Sequence, residues 1–459
     1  WGKAMNIIDT LKHDTIGVNL FAFFLFIALQ LFMLTQEWGS IALVLYFFFM
    51  LLFLGPTHFI HPNSFIFGYY FLWLVCPAVV DWFFYLSDWT FILPWGRLWE
   101  WDTLDPYTLV QIQFTMTTLL MVVRFTCGKK VGFIAKANFN NTRSDFARLP
   151  RTTLINIVIW VLVIYFIQAS GGLGTWISDY SRTYLTGRAG LGLVNVTIIA
   201  LGAFSILLAG LRNFGRRGGI WGVMPLLPLI MAMGFVGGFK SRLLILLIFF
   251  FLPYLFVLRI SIWRILKYTI GFFGLLYVLT LVRSQGFYSG AARFLELIPS
   301  YFNVFPLHDL IVVREAPNVL TTAHFPFVRI GQTLGLVGES AEYDVSIMLT
   351  KEYFPDQWYL MSATQQWPLE TELYLNYYGV VGQVIPLSIY GLWISILFKA
   401  VVLKQNWRLY PILALELFRI ISTMRGVLIP WTFPILVIQY LAIYGLSVLY
   451  LPRYGSDKA

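Results

Sequence analysis

Lys240 and Arg242 follow a pair of glycines in the run Gly237-Gly238-Phe239-Lys240-Ser241-Arg242, Arg283 closes an apolar stretch at Val282-Arg283-Ser284, and Arg425 ends another at Met424-Arg425-Gly426. Each cation stands at the end of a hydrophobic run, where charge is costly unless it is paired or used. Guanidinium forks grip phosphate oxygens and an ammonium adds a point charge, so such cations gathered at one level would suit a diphosphate. For Lys240, Arg242 and Arg283 taken singly, the plainer reading is a side chain snorkelling to the membrane interface. Glu372 lies four residues before Asn376 and shares a helix face with it. It is placed to accept a proton as a general base, or to serve only as a carboxylate favoured at a helix start. Glu416 and Arg419 are three apart inside an apolar run and read as an ion pair on one helix face.

The elements that must hold these residues are membrane helices. The chain is 59% hydrophobic and only 12% charged, against about 25% charged in soluble domains. Continuous apolar runs exclude a β-barrel, whose strands alternate. Runs long enough to span, about 20 residues each, fall near 16–35, 39–54, 65–86, 107–125, 153–170, 193–211, 220–238, 242–258, 263–282, 374–398, 409–428 and 429–451. The fold class expected is therefore an all-α polytopic membrane protein with about 12 transmembrane helices, forming one integral membrane domain over residues 1–459. The first run has no small-residue cleavage pattern after it, so no cleavable signal peptide is expected.

Roughly two in every three of the 32 lysines and arginines fall in one set of alternate gaps between these runs. That bias puts both termini in the cytoplasm and the 283–373 region outside. A net charge of +10 is thus membrane-adjacent charge, and nucleic acid is not expected as a partner. Cys76 and Cys127 lie in or beside apolar runs and read as small packing residues. No cysteine–histidine spacing suits a metal, and no cofactor is expected.

The 283–373 region is neither apolar nor disordered in composition. Ala291 to Pro299 predicts a short amphipathic helix lying on the membrane. Further on, His308, Asp309, His324, Glu339, Glu342, Asp344 and Asp356 alternate with aromatic residues such as Trp358 and Tyr359. Aromatic platforms with carboxylates bind sugars, so the mixture fits a carbohydrate; the alternative is an interfacial aromatic belt.

By layout, from about Gly171 to Gly426, the chain resembles the Wzy-type O-antigen and oligosaccharide repeat-unit polymerases. The residues that carry the resemblance are the Gly237–Arg242 step, the long loop, the pattern Glu372-x-x-x-Asn376-x-x-Gly379-x-x-Gly382 and the late Arg425-Gly426. The lysine placed before Ser241 departs from the usual Gly-Ser-Arg step and leaves open which cation matters. The resemblance implies a membrane-embedded glycosyltransferase of lipopolysaccharide biosynthesis in the bacterial inner membrane, active on its periplasmic face. Its substrates would be undecaprenyl-diphosphate-linked oligosaccharides, with no nucleotide sugar and no essential metal. A chain-length-regulating co-polymerase and a flippase are the partners implied. Arg283, Arg242, Lys240 and Arg425 would stabilise the leaving diphosphate, and Glu372, then Asp309 or His308, would accept the proton. An O-antigen ligase shares this layout, and a transporter of lipid-linked sugars is the alternative from another class.

Overall fold

The computed structural model describes residues 24, 28, 39–56, 58–91, 104–128, 131–178, 180, 183, 190–237, 240–258, 267, 269–275, 277–278, 291–333, 336–338, 341–361, 364–430 and 432–452. Among these, every regular element is a helix, and Val319 and Tyr377 form an isolated antiparallel bridge. In chain order the first helices are Gly39–Leu54 (α1), Pro62–Leu86 (α2), Pro106–Cys127 (α3), Val131–Asn141 (α4), Thr153–Ala169 (α5), Gly192–Gly215 (α6), Leu227–Val236 (α7) and Lys240–Phe256 (α8). The long polar region supplies Ala291–Phe302 (α9), Phe305–Arg314 (α10), Phe325–Thr333 (α11), Val345–Tyr353 (α12), Pro355–Met361 (α13) and Leu369–Asn376 (α14). The chain closes with Val384–Val402 (α15), Tyr410–Met424 (α16) and Phe433–Tyr450 (α17).

Among the described residues, α2, α3, α6, α15 and α17 are long and apolar enough to cross a membrane. A sixth crossing results if α5 and the segment Gly172–Ser178, which meet at 73°, count as one span. The expected run at 16–35 lies almost wholly, and that at 263–282 by half, outside the described residues. The run at 220–238 divides into a 3-10 segment, Ile220–Leu226, with Pro225 inside it, and α7.

Local sequence explains the boundaries. The Asp105 carboxylate accepts the Tyr107 amide at 2.8 Å and Pro106 takes the first turn, so α3 is capped by its own sequence. Inside α2, Phe71–Val75 widens into a π turn just ahead of Cys76-Pro77. Proline has no amide hydrogen for the carbonyl four residues earlier, and the wider turn accommodates the missing bond.

α3 is the central element, packed against α1, α2 and α15. α6 crosses α8 so closely that a Cβ on Gly210 would sit 2.3 Å from the Phe250 carbonyl oxygen. The basic gap between α3 and α5 is itself helical. There Phe139 on α4 stacks on Phe256 at 4.4 Å, and Asn138 donates to the Val402 carbonyl at 2.6 Å, tying α4 to the ends of α8 and α15.

One element differs from the expected pattern in a way that matters for the site. The run at 374–398 is not continuous: α14 ends at Asn376, and α15 begins only at Val384. Tyr378 and Gly379 take positive φ values of 58° and 59° between them. The break is fixed by backbone pairing with the segment after α10. Asn318 and Leu320 donate to the Tyr374 and Asn376 carbonyls, each at 3.0 Å, and Tyr378 donates to Asn318 at 2.9 Å. Gly379 is required here on two counts, its left-handed φ and the Tyr107 hydroxyl, which a Cβ would meet at 2.0 Å.

Candidate functional site

α14 is a buried polar helix, with Glu370, Thr371, Glu372 and Asn376 all inside the protein. Hydrogen bonds from other elements hold it. Gln111, on the second turn of α3, donates to the Glu370 carbonyl at 2.8 Å. Asn376 accepts the Thr322 amide and donates to the Thr322 hydroxyl, both at 2.8 Å. The start of α14 therefore sits beside the second turn of α3.

Glu370 accepts the Tyr70 hydroxyl at 3.0 Å through one carboxylate oxygen, and its Oε2 has no hydrogen-bond partner among the described residues. Burial pushes its carboxyl up to about 7, against the opposing effect of the backbone and Tyr70 hydrogen bonds. Around it three more buried polar atoms lack partners among the described residues: Tyr69 Oη, Trp73 Nε1 and Arg425 Nε. These belong to one neighbourhood. Tyr69 stacks on Trp73 at 5.2 Å with an interplanar angle of 14°, and the Arg425 guanidinium lies over the Trp73 ring at 4.8 Å. Tyr69 is near enough to Glu370 and to Arg425 to feel both charges. Tyr70 stacks on Phe305 at the start of α10. Unpaired polar groups in a protein interior are costly, so these atoms are open to a polar ligand or to water.

Glu372 does something different. Its Oε2 accepts the Leu428 amide at 2.6 Å, so it anchors the turn that carries Arg425. Burial pushes this carboxyl up to about 8, against the hydrogen bonds from Leu428 and Asn376. Arg419 donates to the carbonyl of the same Leu428 at 3.2 Å. The two peptide groups that flank the Leu428 Cα are thus each held by a side chain.

His308 is buried and pushed down to about 3 by desolvation, so its imidazole is neutral. Its Nε2 pairs with Gln111 Oε1 at 3.1 Å and its Nδ1 with the Thr371 hydroxyl at 3.3 Å. Gln111 Oε1 only accepts, so the proton resides on Nε2 and Thr371 donates to Nδ1. Asp309 accepts the Asp105 amide at 2.8 Å, and burial raises its carboxyl above the usual range. Both residues tie α10 to the top of α3, and neither is engaged with Glu372.

The cations divide. Arg425 is in the site. Arg242 is half-buried on α8 and folds back toward Gly237, where a Cβ would meet its Nε at 3.2 Å. Lys240 begins α8, but its side chain lies outside the described residues, as does Arg283 altogether. Glu416 and Arg419 form an ion pair at 3.1 Å on α16. Among the described residues no group of three His, Cys, Asp or Glu could hold a metal.

Sequence reasoning passed over Glu370, Tyr69, Tyr70 and Trp73. A signal existed for two of them: Tyr69 and Trp73 are four apart and share a helix face. Glu370 is two residues from Glu372 and carries no pattern of its own. Together Arg425, two aromatic donors and a carboxyl near neutrality can hold a phosphate-bearing group and accept a proton beside it. No family model, curated protein or solved structure matches this chain.

Proposed function

We propose that the protein is a membrane-embedded glycosyltransferase that joins undecaprenyl-diphosphate-linked oligosaccharide repeat units into a surface polysaccharide. The observation that carries this reading is the meeting of Arg425, Tyr69, Trp73 and the unengaged Glu370 oxygen beneath a layer of short polar helices. In this reading the chain crosses the bacterial inner membrane about twelve times with both termini inside, and residues 283–373 face the periplasm. Arg425 binds the donor diphosphate, joined by Arg242, Lys240 and Arg283. An acceptor hydroxyl attacks the anomeric carbon of the donor, and the bond from that carbon to the diphosphate oxygen breaks. Undecaprenyl diphosphate leaves with the bonding electrons, and its developing charge is stabilised by the preorganised cation and ring donors.

The hydroxyl proton goes to Glu370. Of the two buried glutamates, Glu370 has an oxygen without a partner, whereas Glu372 spends one on Leu428. Glu372 is then the residue that positions the Arg425 turn. The test is the lipopolysaccharide pattern of a strain lacking this chain. A single repeat unit on lipid A-core with no ladder supports a polymerase; bare core points to a ligase or a flippase and overturns the proposal.

A further inference from the structure

Helices α15 and α17 each pack on α16 and hardly touch one another. The space between them is a cavity of about 800 Å³, well inside the roughly 300–1,000 Å³ range of ligand sites. Its walls are apolar and aromatic, with Ile389 and Trp393 on one side and Leu436 and Leu441 on the other. Ile385, Ile389 and Leu441 line it while remaining 70%, 64% and 67% exposed, so it opens sideways along the membrane helices rather than into the protein.

The floor is polar where the walls are not. Glu416 is fully buried there; it pairs with Arg419 and accepts the Tyr440 hydroxyl, and its Oε2 has no partner among the described residues. These bonds pin α16 to α17, and the Arg419 bond to Leu428 pins the floor to the ceiling. Leu428 and Ile429 line one end of it, and the Leu428 amide is bound by Glu372. The end of the cleft is thus only three residues along the chain from Arg425, the residue to which the diphosphate is assigned.

From this continuity we infer that the cleft between α15 and α17 holds the isoprenoid chain of the lipid carrier whose diphosphate sits at Arg425. This rests on the function proposed above and adds to it a second subsite, a tail site. A lipid anchored by its head at Arg425 would run its chain past Leu428, and among the described residues the cleft lined by Leu428 and Ile429 offers it an apolar path. Rings from Tyr390, Trp393, Phe433, Tyr440 and Tyr444 line it and suit a chain with one methyl branch in every five-carbon unit.

The test places a photo-crosslinking benzophenone residue at Ile389 or Leu441, with Leu154, 69% exposed on α5, as the lipid-facing control. The full-length protein is illuminated in membranes carrying radiolabelled undecaprenyl phosphate. Polyprenyl adducts at Ile389 and Leu441 should exceed those at Leu154 by about tenfold. Equal labelling at all three positions, or adducts dominated by phospholipid or by a second copy of the chain, overturns the inference. Ile389→Trp, which places a larger side chain on the cleft wall, should raise KM for the polyprenyl-linked donor about tenfold while leaving the KM for a short-chain prenyl donor unchanged. A KM raised equally for both donors would count against a tail site. If the cleft is labelled but a deletion strain keeps its ladder, the polymerase reading fails and the tail site stands; if the ladder is lost and the cleft is unlabelled, the tail site fails alone.

Discussion

Changing Glu370 and Glu372 to glutamine should separate two neighbouring carboxyls that sequence cannot tell apart. Glu370 has one oxygen bound to Tyr70 and one without a partner, and its carboxyl is pushed up to about 7. At pH 7 about half of it is ionised and able to take a proton. Glutamine keeps the shape and the Tyr70 bond but cannot take the proton, so Glu370→Gln should lose about 10²–10⁴-fold in kcat. Glu372 is pushed up to about 8, so its neutral form dominates at pH 7. A glutamine oxygen accepts the Leu428 amide much as a neutral carboxyl does, and Glu372→Gln should therefore stay within about threefold of normal, a change of under ~0.7 kcal/mol. Glu372→Ala, which frees the Leu428 turn, should cost about 1–3 kcal/mol in positioning and appear mainly in binding of the donor. The assay is chain extension by purified protein in lipid nanodiscs, with lipid-linked repeat units as both donor and acceptor. Glu372→Gln as inactive as Glu370→Gln would refute the assignment and return the proton-accepting role to Glu372.

Three further outcomes are expected. Arg425→Ala should reduce donor turnover by roughly 10- to 150-fold, the equivalent of about 1.5–3 kcal/mol for a charge-assisted contact, and Arg425→Lys should restore only part of it; full activity of the alanine variant removes Arg425 from the site. Tyr70→Phe takes away a hydrogen bond that favours the ionised Glu370, so the rising limb of the rate–pH profile should move up by about one pH unit; an unmoved profile would mean that Glu370 does not govern it. Both carboxyls hold protons more tightly in the folded state than at the ordinary 4.5, so their contribution to stability is complete below about 4.5 and lost as pH rises through 7 to 8. Thermal unfolding of the doubly glutamine-substituted protein should accordingly show a flatter pH dependence over that window.

The helical class was legible because it follows from composition and from the length of apolar runs, which need no partner to be recognised. The run at 107–125 matched α3 to within two residues at each end, and the signals that fix those ends, Asp105, Pro106 and Gly128, act locally. The start of α15 was not. Tyr374 to Val381 is apolar enough to extend a span, and only pairing with Asn318 and Leu320, more than fifty positions away, breaks it. The same limit applies to the site. Charges such as Arg425 and Glu372 stand out in an apolar sequence, but tyrosine and tryptophan do not when 18% of the chain is aromatic. Tyr69 and Trp73 acquire meaning only once α2 is laid beside α14 and α16. His308 and Asp309 carry the residue types for proton transfer, yet their partners, Gln111 and the Asp105 amide, make them fasteners between layers.

The π turn in α2 has a consequence for how this chain tolerates length changes. A helix advances by about 100° per residue, so one residue more or less within Phe71–Val75 rotates one half of α2 relative to the other. The two halves have separate obligations: Tyr70 must meet Glu370, and Asp81 accepts the Asn303 side chain at 2.9 Å just after α9. The widened turn is a phase-setting joint that lets both be met by one continuous helix. Single-residue deletions there should be as disruptive as the loss of a site residue, while substitutions that keep the count and the apolar character should pass almost unnoticed. Among homologous chains, constancy of spacing between Tyr70 and Asp81 would then be a more telling mark of shared chemistry than identity at the positions in between.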